Sequence, residues 1–571
     1  MSRLSALSSR EAEAFFDPQG QHLALSMRRF PQARVIWVNQ RVMREDPAFD
    51  ACGGTLARYS AHLLRSCAYA VTDQSPEDEE TIIGVADRYG GIGIGHNGGS
   101  GRAVVVNGYH VKGVGRTPLV SVLTDEAHAS GGAYLEECVR EAIFSELVAA
   151  EFPGGAVPTL AIIDTGLVQW WDEDAGPRPE RCCLLVRPAS VRPAHFERAA
   201  GYIAADPTDG YADARRVDHA FRVAKALWGQ EALLATYQKF WLAWAEQLAY
   251  GFIHRLPHGG DSTSNIAMDG SLLDFGGTTA TPSWARISLM WGSPPTGEGM
   301  VYLAQAVKSH AAALGREVDP AWISPGMIAK TIATAAQGYQ WVVLREMLRL
   351  AGLTRSMAAR MIQEEPKIVR ILDRLLAHYR GEQFAIFDGT PSPRTPWDQA
   401  LLWLDDPPAH WRPLRDCVLA WIERSGNMDR MQVTGYSVFR GQDRSALYRE
   451  SIKKALYDHL ECRLKGDALC QESLDHLIAQ WVCRHRRDSA CEPARAIPVG
   501  FARHATAGYA LFRSLDDDRW FAMLEWSAEP VPPRAAGDEA RFPLQEVTED
   551  TMVFDDAAIP KFHGAVSVCT T

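Results

Sequence analysis

A chain of 571 residues with 46% hydrophobic and 23% charged residues has a globular composition and is too long for one small core. Its net charge of −11 excludes the broad basic face of a general nucleic-acid binder, though it leaves room for a local cationic pocket. No run of about 18 apolar residues is present, and MSRLSALSSREAEAFF lacks a secretory apolar core, so a cytoplasmic protein without a membrane span is expected.

In chain order, FPQARVIWVNQRVM (30–43) reads as a strand running into a short helix, and residues 59–69 read as a helix. TDQSPEDEE (72–80) is a solvated acidic loop. Glycines crowd DRYGGIGIGHNGGSGRAVVV (87–106), where they permit tight turns and close backbone approach to a ligand. The strand AVVV, the turn Asn107-Gly108 and YHVKGVGRTP follow, with Lys112 late in the second strand. LEECVREAIFSELVAA (135–150) is an amphipathic helix carrying Glu141, which an ion pair with Lys112 would use. Residues 157–166 and 181–188 read as further strands of the same antiparallel sheet. Arg187 and Arg192, at and after the second of these, suit either a bidentate phosphate clamp or surface ion pairs.

A long helical region spans 218–252, its Trp and Leu stripes being core. It leads into GFIHRLPHGGDSTSNIAMDGSLLDFGG (251–277). There His258-Gly259 precedes Asn265, and a tight hairpin with Asp269-Gly270 at its turn ends in Asp274-Phe-Gly. Kinase-like phosphotransferases use an Asn and an Asp spaced this way to hold Mg²⁺ against nucleotide phosphates. The kinase base position, five residues before the Asn, is Gly260, and Asp261 stands one residue away. Helices are expected over 300–314, 323–337 and 342–353, with a Pro-rich boundary at 387–397 and a second linker at 528–542. CRHRRD (483–488) reads as an exposed helix end. Cys462, Cys470, Cys483 and Cys491 lack the close pairs of structural zinc sites and read as buried thiols, while Cys569 reads as exposed.

Together, YGG…GSGRA, VKGVGRTP, REAIFSE, GAVPTLAIIDTG, the arginine pair, HGGDSTSN and LDFGG resemble the selenoprotein O (SelO) family, over roughly residues 30–314 and the last few. HGG…SN…DGSLLDFGG…PSWARI looks closer to its divergent MchC-type members, linked to microcin maturation. The resemblance implies an α+β, bilobal protein-kinase-like fold, with an N-lobe of antiparallel sheet plus helix and a helical C-lobe. A mainly helical C-terminal extension would follow. Residues 1–80 would pack on the N-lobe at 81–215; the C-lobe would span 216–386, and the extension with a flexible tail 397–571.

The resemblance also implies AMP transfer from ATP to a protein or peptide acceptor, either a Ser, Thr or Tyr hydroxyl or a peptide carboxylate. Gly99, Gly101 and Arg102 match its first nucleotide-binding turn, Lys112 its phosphate lysine and Glu141 the partner of that lysine. Arg187 and Arg192 match the arginines that hold ATP in reverse orientation, and Asn265 and Asp274 the Mg²⁺ ligands. The family's catalytic aspartate is Ser264 here, its Asp-Gly-Arg is Ser130-Gly131-Gly132, and Cys569 matches a redox cysteine with no partner in the segment after Asp274. Three readings follow: an adenylyltransferase, with Asp261 standing in as base; a nucleotide-binding pseudokinase acting as scaffold in peptide maturation; and a γ-phosphoryl kinase, disfavoured by Gly260 and the arginine pair.

Overall fold

The computed structural model describes residues 9–17, 23–72, 81–172, 177–205, 213–289, 293–381, 407–426, 444–462 and 468–487, scattered positions between 402 and 441, and the backbone of strands between 496 and 568. The fold mixes helices with antiparallel sheet. Eight strands form the main sheet: β1 Leu23–Arg29, β2 Arg34–Val38, β3 Tyr69–Val71, β4 Thr81–Ala86, β5 Ala103–Val106, β6 Tyr109–Lys112, β7 Ala161–Trp171 and β8 Arg178–Pro188, in the order β2-β7-β8-β6-β5-β4-β1-β3. The segment before residue 80 thus supplies three of the strands. β5 and β6 are joined through Asn107 (φ 49°) and Gly108 (φ 83°), the two left-handed residues of a tight hairpin turn.

Both faces of the central strands are covered, so these strands read as continuous apolar runs. Val104, Val106, Val111, Leu184 and Val186 share a core with Tyr59, Leu63 and Cys67 of helix α1 (Leu56–Cys67). Val105, Cys183 and Leu185 turn the other way, into the core with Cys138, Val139 and Ala142 of helix α2 (Leu135–Glu151). His110 and Lys112, two residues apart on β6, share one face of the sheet. Lys112 pairs in register with Ala103 and Leu185.

The expected 218–252 helix is two: α3 (Asp213–Trp228) and α4 (Gln230–Ile253), broken at Gly229, whose φ of 84° no helix residue adopts. After α5 (Met300–Glu317) the opposite correction holds. The helices expected over 323–337 and 342–353 are one, α6 (Pro325–Leu350). Gly338, in the gap between the two expected helices, allows a close helix–helix approach: a Cβ there would lie 2.2 Å from Leu242 Cδ1 on α4.

Two later helices, α7 (Arg449–Cys462) and α8 (Gln471–His485), pack on α2, which is why α2 is buried nearly all round. The Gln471 side-chain amide accepts from Val38 N (2.8 Å) and donates to Val38 O (2.9 Å), meeting the free groups of β2 at the sheet's edge. Arg444 Nη2 lies 2.6 Å from both oxygens of Glu151, at the end of α2, and Arg487 N donates to the same carboxylate at 2.6 Å. His485 and Arg487 are buried while Arg486 is exposed, which corrects the exposed reading of 483–488 for those two residues.

Residues 397–571, expected as mainly helical, are so only as far as His485 among the described residues. Beyond it, Ala496–His504, Ala507–Ser514, Trp520–Leu524, Leu544–Val547 and Ser567–Val568 form a second, five-stranded antiparallel sheet. Short aromatic and β-branched runs between Pro- and Gly-rich stretches carry that preference. The boundary at 387–397, the linker at 528–542 and most of the acidic loop lie outside the described residues. No described helix is long and apolar enough to cross a membrane.

The Arg444–Glu151 pair is fully buried, so removing one partner strands a charge. Arg444→Met should lower the unfolding free energy by about 3–5 kcal/mol, read from urea unfolding followed by tryptophan fluorescence. The double variant Glu151→Met/Arg444→Met should recover part of that loss, short of full recovery because the buried Arg487 N–H loses its acceptor.

Candidate functional site

A cavity of about 1230 Å³ opens where the sheet, α2 and residues 257–277 meet. Gly99, Gly101, Arg102, Lys112, Arg187, Arg192, Asp261, Ser264, Asn265 and Asp274 all line it. Of the expected site residues, only Glu141 stands behind the wall. Gly99 has φ 125° and a Cβ there would lie 2.2 Å from Asp87 O; at Gly101 it would lie 2.7 Å from Val120 Cγ2. The glycines thus let this loop fold tightly onto β4 and the 117–120 turn.

Lys112 sits between carboxylates. Its Nζ is 2.9 Å from Asp274 Oδ1, 2.9 Å from Glu137 Oε1 and 3.8 Å from Glu141 Oε1. The expected Lys112–Glu141 pair is therefore the longest of the three. Glu141 binds Arg187 Nη2 more closely, at 2.6 Å, and accepts the backbone N–H of Phe275 at 2.9 Å. One buried carboxylate thereby ties α2 to β8 and to the Asp274-Phe275-Gly276 turn. Phe275 is buried beside Phe144 of α2 and His258.

Glu137 was not singled out in the sequence. It lies one turn before Glu141 on the same helix face. That i, i+4 spacing was the available signal. Glu137 grips Arg102 through both oxygens (2.8 and 3.1 Å), while Arg102 Nη1 also donates to Gly132 O at 2.8 Å. Burial pushes the Glu137 carboxyl up, but Arg102, Lys112 and Arg140 outweigh it and hold it well below the usual range. Asp274 behaves alike: burial is overcome by Lys112, Arg187 and Arg102.

Arg187 and Arg192 are both buried, which removes the surface-ion-pair reading. Arg192 Nη1 donates to Ser264 O (2.9 Å) and its Nη2 to His110 Nε2 (3.1 Å), while Asp87 Oδ2 lies 3.7 Å away. Burial and Arg192 push His110 down to about 3, so it stays neutral and accepts that bond. Asp87 also holds His195 Nε2 at 2.8 Å. This Asp87–His110–His195 support carries no short-range sequence signal, because its members come from three separate segments.

The 258–277 segment closes on itself. A Cβ at Gly259 (φ 78°) would lie 2.2 Å from Gly277 O, so the His-Gly pair rests on the Phe-Gly-Gly turn. His258 Nε2 donates to Leu273 O at 3.0 Å, and its Nδ1 accepts from Gly260 N at 3.3 Å. The expected hairpin is present, with Ile266 bridging Leu272 and Ala267 N bonded to Ser271 O at 2.8 Å. Asp274 is left-handed (φ 63°, ψ 73°). Ser264 Oγ is 2.8 Å from Ser262 Oγ and accepts from Asn97 Nδ2 at 3.4 Å. Burial raises the Asp261 carboxyl, with His258 opposing.

Asn265 Nδ2 donates to Gly260 O at 2.9 Å, which leaves its Oδ1 as an acceptor, and the second oxygen of Asp274 has no protein partner among the described residues. Two hard oxygens on one cavity wall fit Mg²⁺, with water or ligand oxygens completing its shell. No cluster of three His, Cys, Asp or Glu side chains suited to a metal exists among the described residues. Cys470, expected buried, is exposed; Cys569 lies outside the described residues. No protein-family model matches this chain, and no curated protein matches it.

The depressed carboxyl of Glu137 sets a pH window. Its stabilisation is fully present above the unfolded-state value of about 4.3 and is lost as pH falls below it. Glu137→Gln should therefore be less stable than the parent at pH 7. The difference should begin to shrink in urea unfolding as pH drops below about 4 and close only where the folded-state carboxyl itself takes up a proton, well below that.

Proposed function

We propose that this chain is a kinase-like, SelO-type nucleotidyltransferase that moves AMP from Mg-ATP to a hydroxyl of a protein or peptide, with peptide maturation as the setting that its MchC-like features suggest. The observation that carries this reading is the convergence on Lys112 of Asp274 and Glu141, with Glu141 also bound to Arg187 and to Phe275 N. These groups come from β6, β8, α2 and the 258–277 segment, and a bilobal nucleotide-binding fold is the architecture that needs them together.

In this reading Asn265 and Asp274 hold Mg²⁺, which neutralises phosphate charge. Arg187, Arg192 and Lys112 bind the phosphates beyond the α-position, leaving the α-phosphorus to face the acceptor. The acceptor oxygen forms a bond to that phosphorus as the bond to the departing pyrophosphate breaks. Asp261, whose carboxyl burial makes a better proton acceptor, takes the hydroxyl proton. A large cavity supports an acceptor beside the nucleotide, since about 300–1,000 Å³ suffices for most small ligands.

One observation favours a second reading. Where a catalytic carboxylate is expected, the Ser264 hydroxyl is taken up by Ser262 and Asn97. A pseudokinase scaffold would bind Mg-ATP and transfer nothing.

Incubation with Mg²⁺ and ATP labelled at the α- or the γ-phosphate, with candidate acceptor peptides, separates these readings. Label from the α-phosphate on protein or peptide, absent in Asp274→Ala, is the expected result. Label from the γ-phosphate alone would identify a kinase. ATP binding without transfer of either label would favour the scaffold.

A further inference from the structure

The cations that line the phosphate side of the cavity are each matched by an anion. Arg102 pairs with Glu137 at 2.8 Å, Lys112 with Asp274 at 2.9 Å and Arg187 with Glu141 at 2.6 Å, and Arg192 faces Asp87 at 3.7 Å. Arg140, which also acts on Glu137, is matched in turn by Glu136 at 2.7 Å, so these five cations and five carboxylates leave the cradle neutral. Glu137 is the carboxylate whose role is least constrained by the rest. Glu141 anchors the Phe275 backbone, Asp87 holds His195, and Asp274 is the metal ligand of the nucleotide reading. Glu137 instead spends both oxygens on the two cations nearest the glycine loop, Arg102 and Lys112.

We propose that Glu137 sets the ligand specificity of this cradle: by cancelling one positive charge it makes the site refuse a free polyphosphate and accept a nucleoside triphosphate only as its divalent-metal complex. The inference rests on the nucleotide reading above and deepens it. A tetra-anionic triphosphate entering a neutral cradle loses hydration and meets Asp274 and Glu137 with no net compensation. The metal supplies the missing charge at Asn265 and Asp274. Replacing Glu137 by a neutral side chain leaves one net positive charge, which raises affinity for the free polyanion more than for its metal complex. A unit charge several ångströms away, at the effective dielectric of a protein interior, changes affinity on the order of ten- to a hundredfold.

Calorimetric titration of ATP into the full chain, once with Mg²⁺ and once with EDTA, tests this. The parent should bind ATP with Mg²⁺ and lose most of that affinity in EDTA. E137Q should narrow the gap between the two conditions by about tenfold or more, through tighter binding in EDTA. Arg102→Met, which leaves the cradle one charge short, should widen the gap. It serves as the test on its own if E137Q fails to fold by circular dichroism. An E137Q that binds Mg-ATP with an unchanged gap, or an Arg102→Met whose gap does not widen, would overturn the assignment while leaving the nucleotide reading standing. A parent that binds ATP in neither condition would overturn both.

Discussion

The buried ammonium of Lys112 constrains everything around it. A lysine that is 4% exposed must be paired, because an isolated charge at that depth is far more costly than the fold can tolerate. Its carboxylate neighbours arrive from opposite directions: Glu137 and Glu141 from α2, and Asp274 from the turn after the hairpin. Each brings further partners, namely Arg102, Arg187 and the Phe275 backbone. The sheet, α2 and the 258–277 segment are therefore held in one arrangement by a mesh of paired charges lining a cavity. A mesh of this kind specifies geometry more than it adds stability. That suits a site whose groups must be positioned before a ligand arrives.

The C-terminal helices extend the same constraint. α2 carries Glu137 and Glu141 at one end and Glu151 at the other, and Glu151 is fixed by Arg444 and the Arg487 backbone. The start of α7 also reaches the segment beyond Asp274: Ala280 N donates to Leu447 O (3.1 Å), and Arg449 N to Thr279 Oγ1 (2.9 Å). The same stretch of chain thus braces both sources of carboxylate that meet Lys112. Arg444, Leu447, Arg449 and Arg487 thus belong to the framework of the site.

Where short-range pattern carried the information, the sequence was readable. The strands around Lys112, the helix bearing Glu141, and the hairpin ending in Asp274 stand where period-2 and period-3.6 patterns and turn residues put them. What the pattern could not show is partner choice. Glu137 and Glu141 sit on one helix face, and only the tertiary fold decides that Arg187 takes Glu141 while Glu137 bridges Arg102 and Lys112. Gly229 and Gly338 look alike in sequence, yet one breaks a helix through its positive φ and the other admits a neighbouring helix. The strands after residue 496 were missed because linker-like composition surrounds them.

On the proposed reading, the charge mesh around Lys112 is a nucleotide-phosphate site. Equilibrium binding of Mg-ATP to the parent chain and to Lys112→Met tests it most directly. The parent should bind saturably and the variant should lose affinity on the order of a hundredfold, with the fold intact by circular dichroism. Equal affinity in the two proteins, or no binding by the parent, would contradict it.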